Sequence, residues 1–233
     1  MGFETSHTEA EARLLELALT PGARVLEAGC GRTTRLRFYR DRIAELVGVD
    51  LDAVAGDEND VLDAFVAVDL CGPLPFADGS FDLVYANFVV EHLAAPEAAF
   101  AEWRRVLAPD GSLVVLTSNR ANPMLAAAHL LPQRARVVVK RLGPGAAEED
   151  VFPAVYRANT PKRLTTSLQA AGFVPVAVSH VATLHRYAGR RRVAGAMLRA
   201  AERVLPPGRR STIVGWYRAT EATARAGRPR AAR

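Results

Sequence analysis

The chain has 233 residues, 49% of them apolar, with 30 basic and 25 acidic side chains and a formal net charge of +5. That length is enough to bury a sizeable core as one domain, and no apolar run is long enough for a membrane-spanning helix. The charge is split: residues 1–118 hold 9 arginines against 20 acids, a net of −11, and residues 119–233 hold 21 basic groups against 5 acids, a net of +16.

Ser6-x-x-Glu9 and Thr8-x-x-Glu11 are two capping-box patterns, and Leu14, Leu15, Ala18 and Leu19 then share one helical face before Pro21-Gly22 stops the helix. Residues 24–28 read as a strand that ends in the loop Gly29-Cys-Gly31, and residues 33–45 as a helix pointing its N-terminus at that loop. Strands two and three follow at about 46–50 and 64–69, and a nearly all-apolar strand four runs from Phe81 to Ala86. Pro96 opens a helix with Phe100, Trp103 and Leu107 inside, residues 108–111 turn, and Ser112 to Ser118 form strand five. Thr160-Pro161 starts another helix, Gly172 caps it, and residues 174–181 and 212–217 complete the strands. Strands alternating with helices over short links predict an α/β fold with a doubly wound parallel sheet. One domain is expected over 1–225, with 119–158 as a cap insertion and 226–233, bearing Arg228, Arg230 and Arg233, as a disordered basic tail.

The glycine loop and the acid beyond it carry the functional signal. Glycines at a strand tip let backbone approach a ligand closely. Asp50, 19 residues after Gly31, stands where an acid can accept hydrogen bonds from both hydroxyls of a ribose. The third glycine of a dinucleotide fingerprint is absent, since Thr34 stands in its place, so a nicotinamide dinucleotide is disfavoured. Glu27-x-Gly29-x-Gly31, Gly48-Val-Asp50, Asp69 with Leu74-Pro-Phe, Asp78-Gly-Ser-Phe-Asp82 and Glu91-His-Leu93 follow in order.

Together these motifs resemble the class I S-adenosylmethionine-dependent methyltransferases, in the small-molecule branch related to ubiquinone and menaquinone methyltransferases. The resemblance covers residues 20–120 firmly and 155–185 loosely. It implies a mostly parallel seven-stranded sheet with a helical cap, and S-adenosylmethionine as cofactor. Glu27, Ala28, Gly29, Cys30 and Gly31 would hold the methionine part, Asp50 and Leu51 the ribose, Asp69 and Leu70 the adenine, and Asn87 would lie near the sulfonium. His92 is the candidate general base, with in-line positioning of the acceptor as the alternative source of rate. Glu91 is expected to order its loop. Arg120, Tyr156 and Arg157 are the candidate acceptor contacts, with Arg163 behind them, and His129 and Tyr156 are weaker candidates for the base.

Cys30 and Cys71 are expected to be free thiols in a reducing cytoplasm, no Cys/His cluster has zinc spacing, and the N-terminus lacks the pattern of a signal peptide. The basic second half suggests an anionic acceptor, or weak contact with an anionic membrane or carrier. Met124–Leu142, where Arg134, Arg136, Lys140 and Arg141 mix with valines, reads as a cap helix with a solvated basic face and secondarily as a membrane-surface helix. Two rival readings remain: an RNA-modifying methyltransferase, disfavoured because no Asn-Pro-Pro-Tyr-like or Asp-Pro-Pro-Tyr-like motif follows strand four, and a non-catalytic cofactor-binding subunit.

Overall fold

The computed structural model describes residues 6–130, 154–188 and 192–220. The expected tail and most of the expected cap, including the Lys140 end of the Met124–Leu142 segment, lie outside the described residues, as does the side chain of His129.

The first helix, α1 (His7–Ala18), starts at Ser6, whose side chain accepts from Glu9 N. Strands β1 (Ala23–Ala28), β2 (Ile43–Asp50), β3 (Ala64–Ala67), β4 (Phe81–Asn87) and β5 (Leu107–Ser118) are parallel, and β6 (Phe173–Val181) and β7 (Thr212–Ala219) complete a seven-stranded sheet in the order β3-β2-β1-β4-β5-β7-β6. Strand β7 runs antiparallel to both β5 and β6. Among the described residues the α-helices are α1, α2 (Val54–Glu58), α3 (Pro96–Val106), α4 (Pro123–Leu130), α5 (Pro161–Ala170) and α6 (Arg192–Arg203).

Period-two alternation along the strands divides the core into two layers. Leu26, Val49, Val84 and Val115 pack with Phe100, Trp103, Leu164 and Phe173 on one face. Val25, Leu46, Leu83 and Val114 pack under Leu14, Leu15 and Ala18 of α1 on the other. The same alternation puts Glu27, Gly48 and Tyr85, which are neighbours in the sheet register, on the α1 face.

Two elements differ from the pattern. Residues 33–45 do not form an α-helix: a 3-10 helix spans Arg35–Arg42 and β2 begins at Ile43. Its sequence, RLRFYRDR, buries only Leu36, so there is no apolar stripe to hold a longer helix against the sheet. Strand β5 is assigned from Leu107, but its pairing jumps from Phe81↔Leu107 to Leu83↔Ser112. Residues 108–111 form the excursion between, with Asp110 at φ 59°. Helix α6 was not expected at all.

Candidate functional site

The strand order reverses between β1 and β4, because β2 and β3 lie to one side and β5 to the other. In doubly wound sheets ligands bind at such a point, beyond the carboxyl ends of the strands. The loop Gly29–Gly31 follows β1 there. Gly29 has φ +69°, and a Cβ on it would stand 2.3 Å from Val89 Cγ2, so only glycine fits. Gly31 has φ +52° and open space around its Cα.

Asp50, at the tip of β2, ties this loop down. Its Oδ2 accepts from Gly31 N at 2.9 Å and its Oδ1 from Asp52 N at 3.0 Å. Two bonds leave a carboxylate about two further acceptor positions, enough for a diol. Asn59 Nδ2 donates to Gly31 O at 3.2 Å from the other side. The sequence reading missed Asn59, since nothing local marks it. Arg32 lies between Asp52 (3.5 Å) and Glu58 (3.4 Å).

Glu27 is 3% exposed. Burial pushes its carboxyl up to about 8, the negative charges of Glu11 and Asp50 add to this, and a hydrogen bond with Thr34 opposes it. Glu11, 1% exposed on α1, accepts from the Tyr85 hydroxyl, and Arg35 Nε lies 2.7 Å from its Oε2, a charge contact rather than an aligned hydrogen bond. Burial raises the Glu11 carboxyl above its usual range, while Tyr85 and Arg35 pull it back. Glu27 Oε2 and Asn87 Oδ1 are buried acceptors with no hydrogen-bond partner among the described residues. A buried acceptor left without a donor is costly, and both lie at strand tips beside the glycine loop.

Of the other expected cofactor residues, Leu51 is exposed and Leu70 is buried. Asp69 is exposed, and its Oδ1 accepts from Cys71 N at 2.9 Å. The side chains of Ala28 and Cys30 are buried, so only their backbone is available to a ligand. Both cysteines are free, and burial pushes the Cys30 thiol up to about 12, with Glu27 and Asp50 contributing.

The opposite wall is built around Glu91. Its carboxylate accepts from Thr117 Oγ1 (2.7 Å) and Ser118 Oγ (2.9 Å), and its carbonyl accepts from Val155 N (2.8 Å) and Tyr156 N (3.0 Å). Glu91 therefore joins the turn after β4, the end of β5 and residues 154–156. Asn159 donates to Thr117 Oγ1 and receives Arg120 N at its carbonyl, 2.7 Å away. The Arg120 guanidinium stands over the Tyr156 ring, 6.0 Å from its centroid. Arg157 is exposed, and its carbonyl accepts from Arg163 Nη1 at 3.4 Å. His92 is exposed on the short 3-10 turn Val90–His92. Phe88 and Tyr156 hold φ of 56° and 53°, strained for aromatic residues, and the His7 ring meets Phe88 edge-on with centroids 6.0 Å apart.

Glu27 Oε2 and Asn87 Oδ1 are acceptors that call for donors. The pocket's features fit a ligand that carries an ammonium for Glu27 and Asn87 and a pair of hydroxyls for Asp50. S-adenosylmethionine has both groups. Among the described residues no group of His, Cys, Asp and Glu is arranged to hold a metal ion.

The sheet order and the glycine loop at its reversal are those of a class I S-adenosylmethionine-dependent methyltransferase fold. The family model described as "Methyltransferase domain" matches residues 26–115, so this segment is a methyltransferase domain and the resemblance read from the motifs is borne out. A malonyl-[acyl-carrier protein] O-methyltransferase of Enterobacter lignolyticus is 32% identical over 117 residues, covering 49% of this chain and 46% of that protein. A demethylmenaquinone methyltransferase of Renibacterium salmoninarum is 37% identical over 99 residues, covering 41% of each. The chain thus spans less than half the length of either relative. Among solved structures, the geranyl diphosphate C-methyltransferase of Streptomyces coelicolor, in complex with Mg2+, geranyl diphosphate and S-adenosyl-L-homocysteine, superposes with a TM-score of 0.65 at 15% identity, covering 91% of this chain and 77% of that one.

Proposed function

We propose that this chain is a cytoplasmic enzyme that transfers the methyl group of S-adenosylmethionine to an oxygen, nitrogen or carbon of a small-molecule acceptor. The observation that carries the reading is the pair of buried, unpartnered acceptors, Glu27 Oε2 and Asn87 Oδ1, beside a glycine loop pinned by Asp50. In this reading Glu27 and Asn87 take donors of the methionine part, Asp50 takes the ribose diol with Leu51 beside it, and Asp69 and Leu70 border the adenine. When bound, the cofactor supplies a methyl group already activated on a sulfonium. What remains for the protein is to hold the acceptor in line with that methyl and to let a proton leave. Glu91 sets the position of the acceptor wall, and Arg120 and Tyr156 furnish a cation and a ring on it. His92, at the turn after β4, takes the acceptor proton as the methyl arrives. No helix among the described residues is long and apolar enough to cross a membrane, which agrees with a site reached from water.

The relatives named above act on a quinone precursor and on an acyl carrier protein conjugate. Together with the basic second half, this favours an acceptor that bears an anionic group or is carried by a lipid or an acidic protein. The test uses S-adenosylmethionine labelled in its methyl group, incubated with the protein and separate small-molecule, RNA and carrier-protein fractions of a bacterial lysate. Label in the small-molecule or carrier fraction, lost in Asp50→Ala, is the expected result. Label in RNA, or none, overturns the reading. With an acceptor in hand, His92→Ala should lower kcat by about 10²–10⁴-fold if His92 is the base, without moving cofactor affinity. A loss under about fivefold assigns the rate to positioning.

A further inference from the structure

Helix α6 has three distinct faces. Its inward face carries Gly195 and Glu202, both buried. Glu202 is wholly buried and accepts from Leu184 N at 2.7 Å, Ser211 N at 3.0 Å and Asn122 Nδ2 at 3.4 Å. These partners follow β6, precede β7 and follow β5, where Thr212 pairs with both Ser118 and Val181. Glu202 therefore fixes α6 on the rim of the sheet that holds the Gly29–Gly31 loop and Asn87.

The outward face is apolar. Val193 is 75% exposed, Met197 68% and Val204 84%. Val204 lies just beyond the assigned helix, but its N–H still bonds to Ala200 O at 3.4 Å. At 3.6 residues per turn, Val193, Met197, Ala200 and Val204 fall within an arc of about 60°. Exposing three large aliphatic side chains in one stripe has a continuing cost in water. Along one flank of the stripe, within an arc of about 40°, lie Arg192, Arg199 and Arg203, all exposed. The helix's only acid is Glu202, which is turned inward.

We propose that this face of α6 docks the protein on an anionic lipid surface, with the stripe at the boundary between headgroups and acyl chains and the arginines among the headgroup phosphates. Charge complementarity is the argument: cations on the flank of an apolar stripe are the pattern of an interfacial helix, and α6 lies in the part of the chain, residues 119–233, whose net charge is +16. The inference deepens the proposed function, since it would bring the acceptor site to the surface where a lipid-borne acceptor lies. It can fail while methyl transfer stands, because docking is read without turnover.

The experiment is sedimentation of the full chain with vesicles made of one part phosphatidylglycerol to two parts phosphatidylcholine, and with vesicles of phosphatidylcholine alone. Binding to the first and weak binding to the second is expected. Each arginine near such a surface is worth roughly a fivefold gain in partitioning, so the triple variant Arg192→Gln, Arg199→Gln, Arg203→Gln should bind on the order of a hundredfold more weakly. Val193→Ser with Met197→Gln and Val204→Ser should also release the protein. None of these six side chains is buried, so the melting temperature should hold in both variants. The proposal is overturned if the wild type stays in the supernatant, or if both variants sediment like the wild type. It is likewise overturned if an acidic carrier protein is retained through the same six residues while the vesicles are ignored.

Discussion

Removing the Asp50 carboxylate deletes the acceptor for Gly31 N and Asp52 N as well as the acceptor offered to a ribose. Hydrogen bonds to a charged group are worth about 1.5–3 kcal/mol each. Asp50→Ala should therefore weaken S-adenosylmethionine binding by at least about tenfold while the cooperative melt persists, since the side chain is only partly buried. Unchanged affinity by calorimetry would remove Asp50 from the site. Glu27 gives a second handle, through protons. Its folded value, about 8, lies above its ordinary 4.5, so between those values the folded state holds a proton that the unfolded state has released. The contribution to stability is fully present below pH 4.5 and is lost as pH rises through 8. Glu11 is raised in the same direction and adds to the slope. The ligand-free protein should melt at lower temperature on going from pH 5 to pH 8, and Glu27→Gln should flatten part of that fall. A cofactor ammonium beside Glu27 favours the ionised carboxylate, so binding at about pH 7 should release close to one proton. Identical binding heats in two buffers of different ionisation enthalpy would mean that no ammonium sits there.

Elements whose residues lie close in sequence were readable from it. Strand β1, the glycine loop and β2 form one contiguous stretch, and the spacing from Gly31 to Asp50 spans a single crossover. The helix expected over 33–45 failed because charge at nearly every other position leaves nothing to bury beyond Leu36. What stayed hidden is held by partners far apart in the chain: Glu11 with Tyr85 are 74 residues apart, and Asn122 with Glu202 are 80 apart. Glu202, in a run of arginines and alanines, has the sequence context of a solvated charge. The structure buries it because three donors from three loops converge on it. One available signal was passed over, the Val193, Met197, Ala200, Val204 spacing of a helix. Glu202→Ala would leave Leu184 N and Ser211 N buried without an acceptor, at a cost of about 1–3 kcal/mol for each group. The variant should melt several degrees lower and become sensitive to protease around α6, with cofactor affinity retained because the Gly29–Gly31 loop is untouched. An unchanged melting temperature would mean that Glu202 does not anchor the helix.

At the scale of the whole molecule, the two charge blocks meet across the sheet. The net −11 block holds β1 to β5, the cofactor loop and Glu91 of the acceptor wall, whereas the net +16 block holds α4 to α6, β6 and β7 and, on that wall, Arg120, Tyr156, Arg157 and Asn159. An anionic acceptor docking beside Arg120 and Arg157 would feel the attraction of these exposed cations. Such a field raises association rates by about 10–10³-fold at low salt, and it is screened once the Debye length falls from about 10 Å at 0.1 M to about 3 Å at 1 M. Arg120 is the cation best placed to receive the anion. Its backbone is fixed by Asn159, and its exposed guanidinium stands over the Tyr156 ring. Arg157, exposed on the same segment, would act on the approach rather than on the bound state. With the acceptor identified by the labelling experiment, kcat/KM should fall by about tenfold or more between roughly 0.05 M and 0.5 M salt. Arg157→Ala should reduce that salt slope, while Arg120→Ala should raise KM as well as reduce the slope, because both guanidiniums are exposed and screened by salt. A flat salt response with both variants silent would show that the acceptor is neutral and that the arginine-rich half serves no steering role.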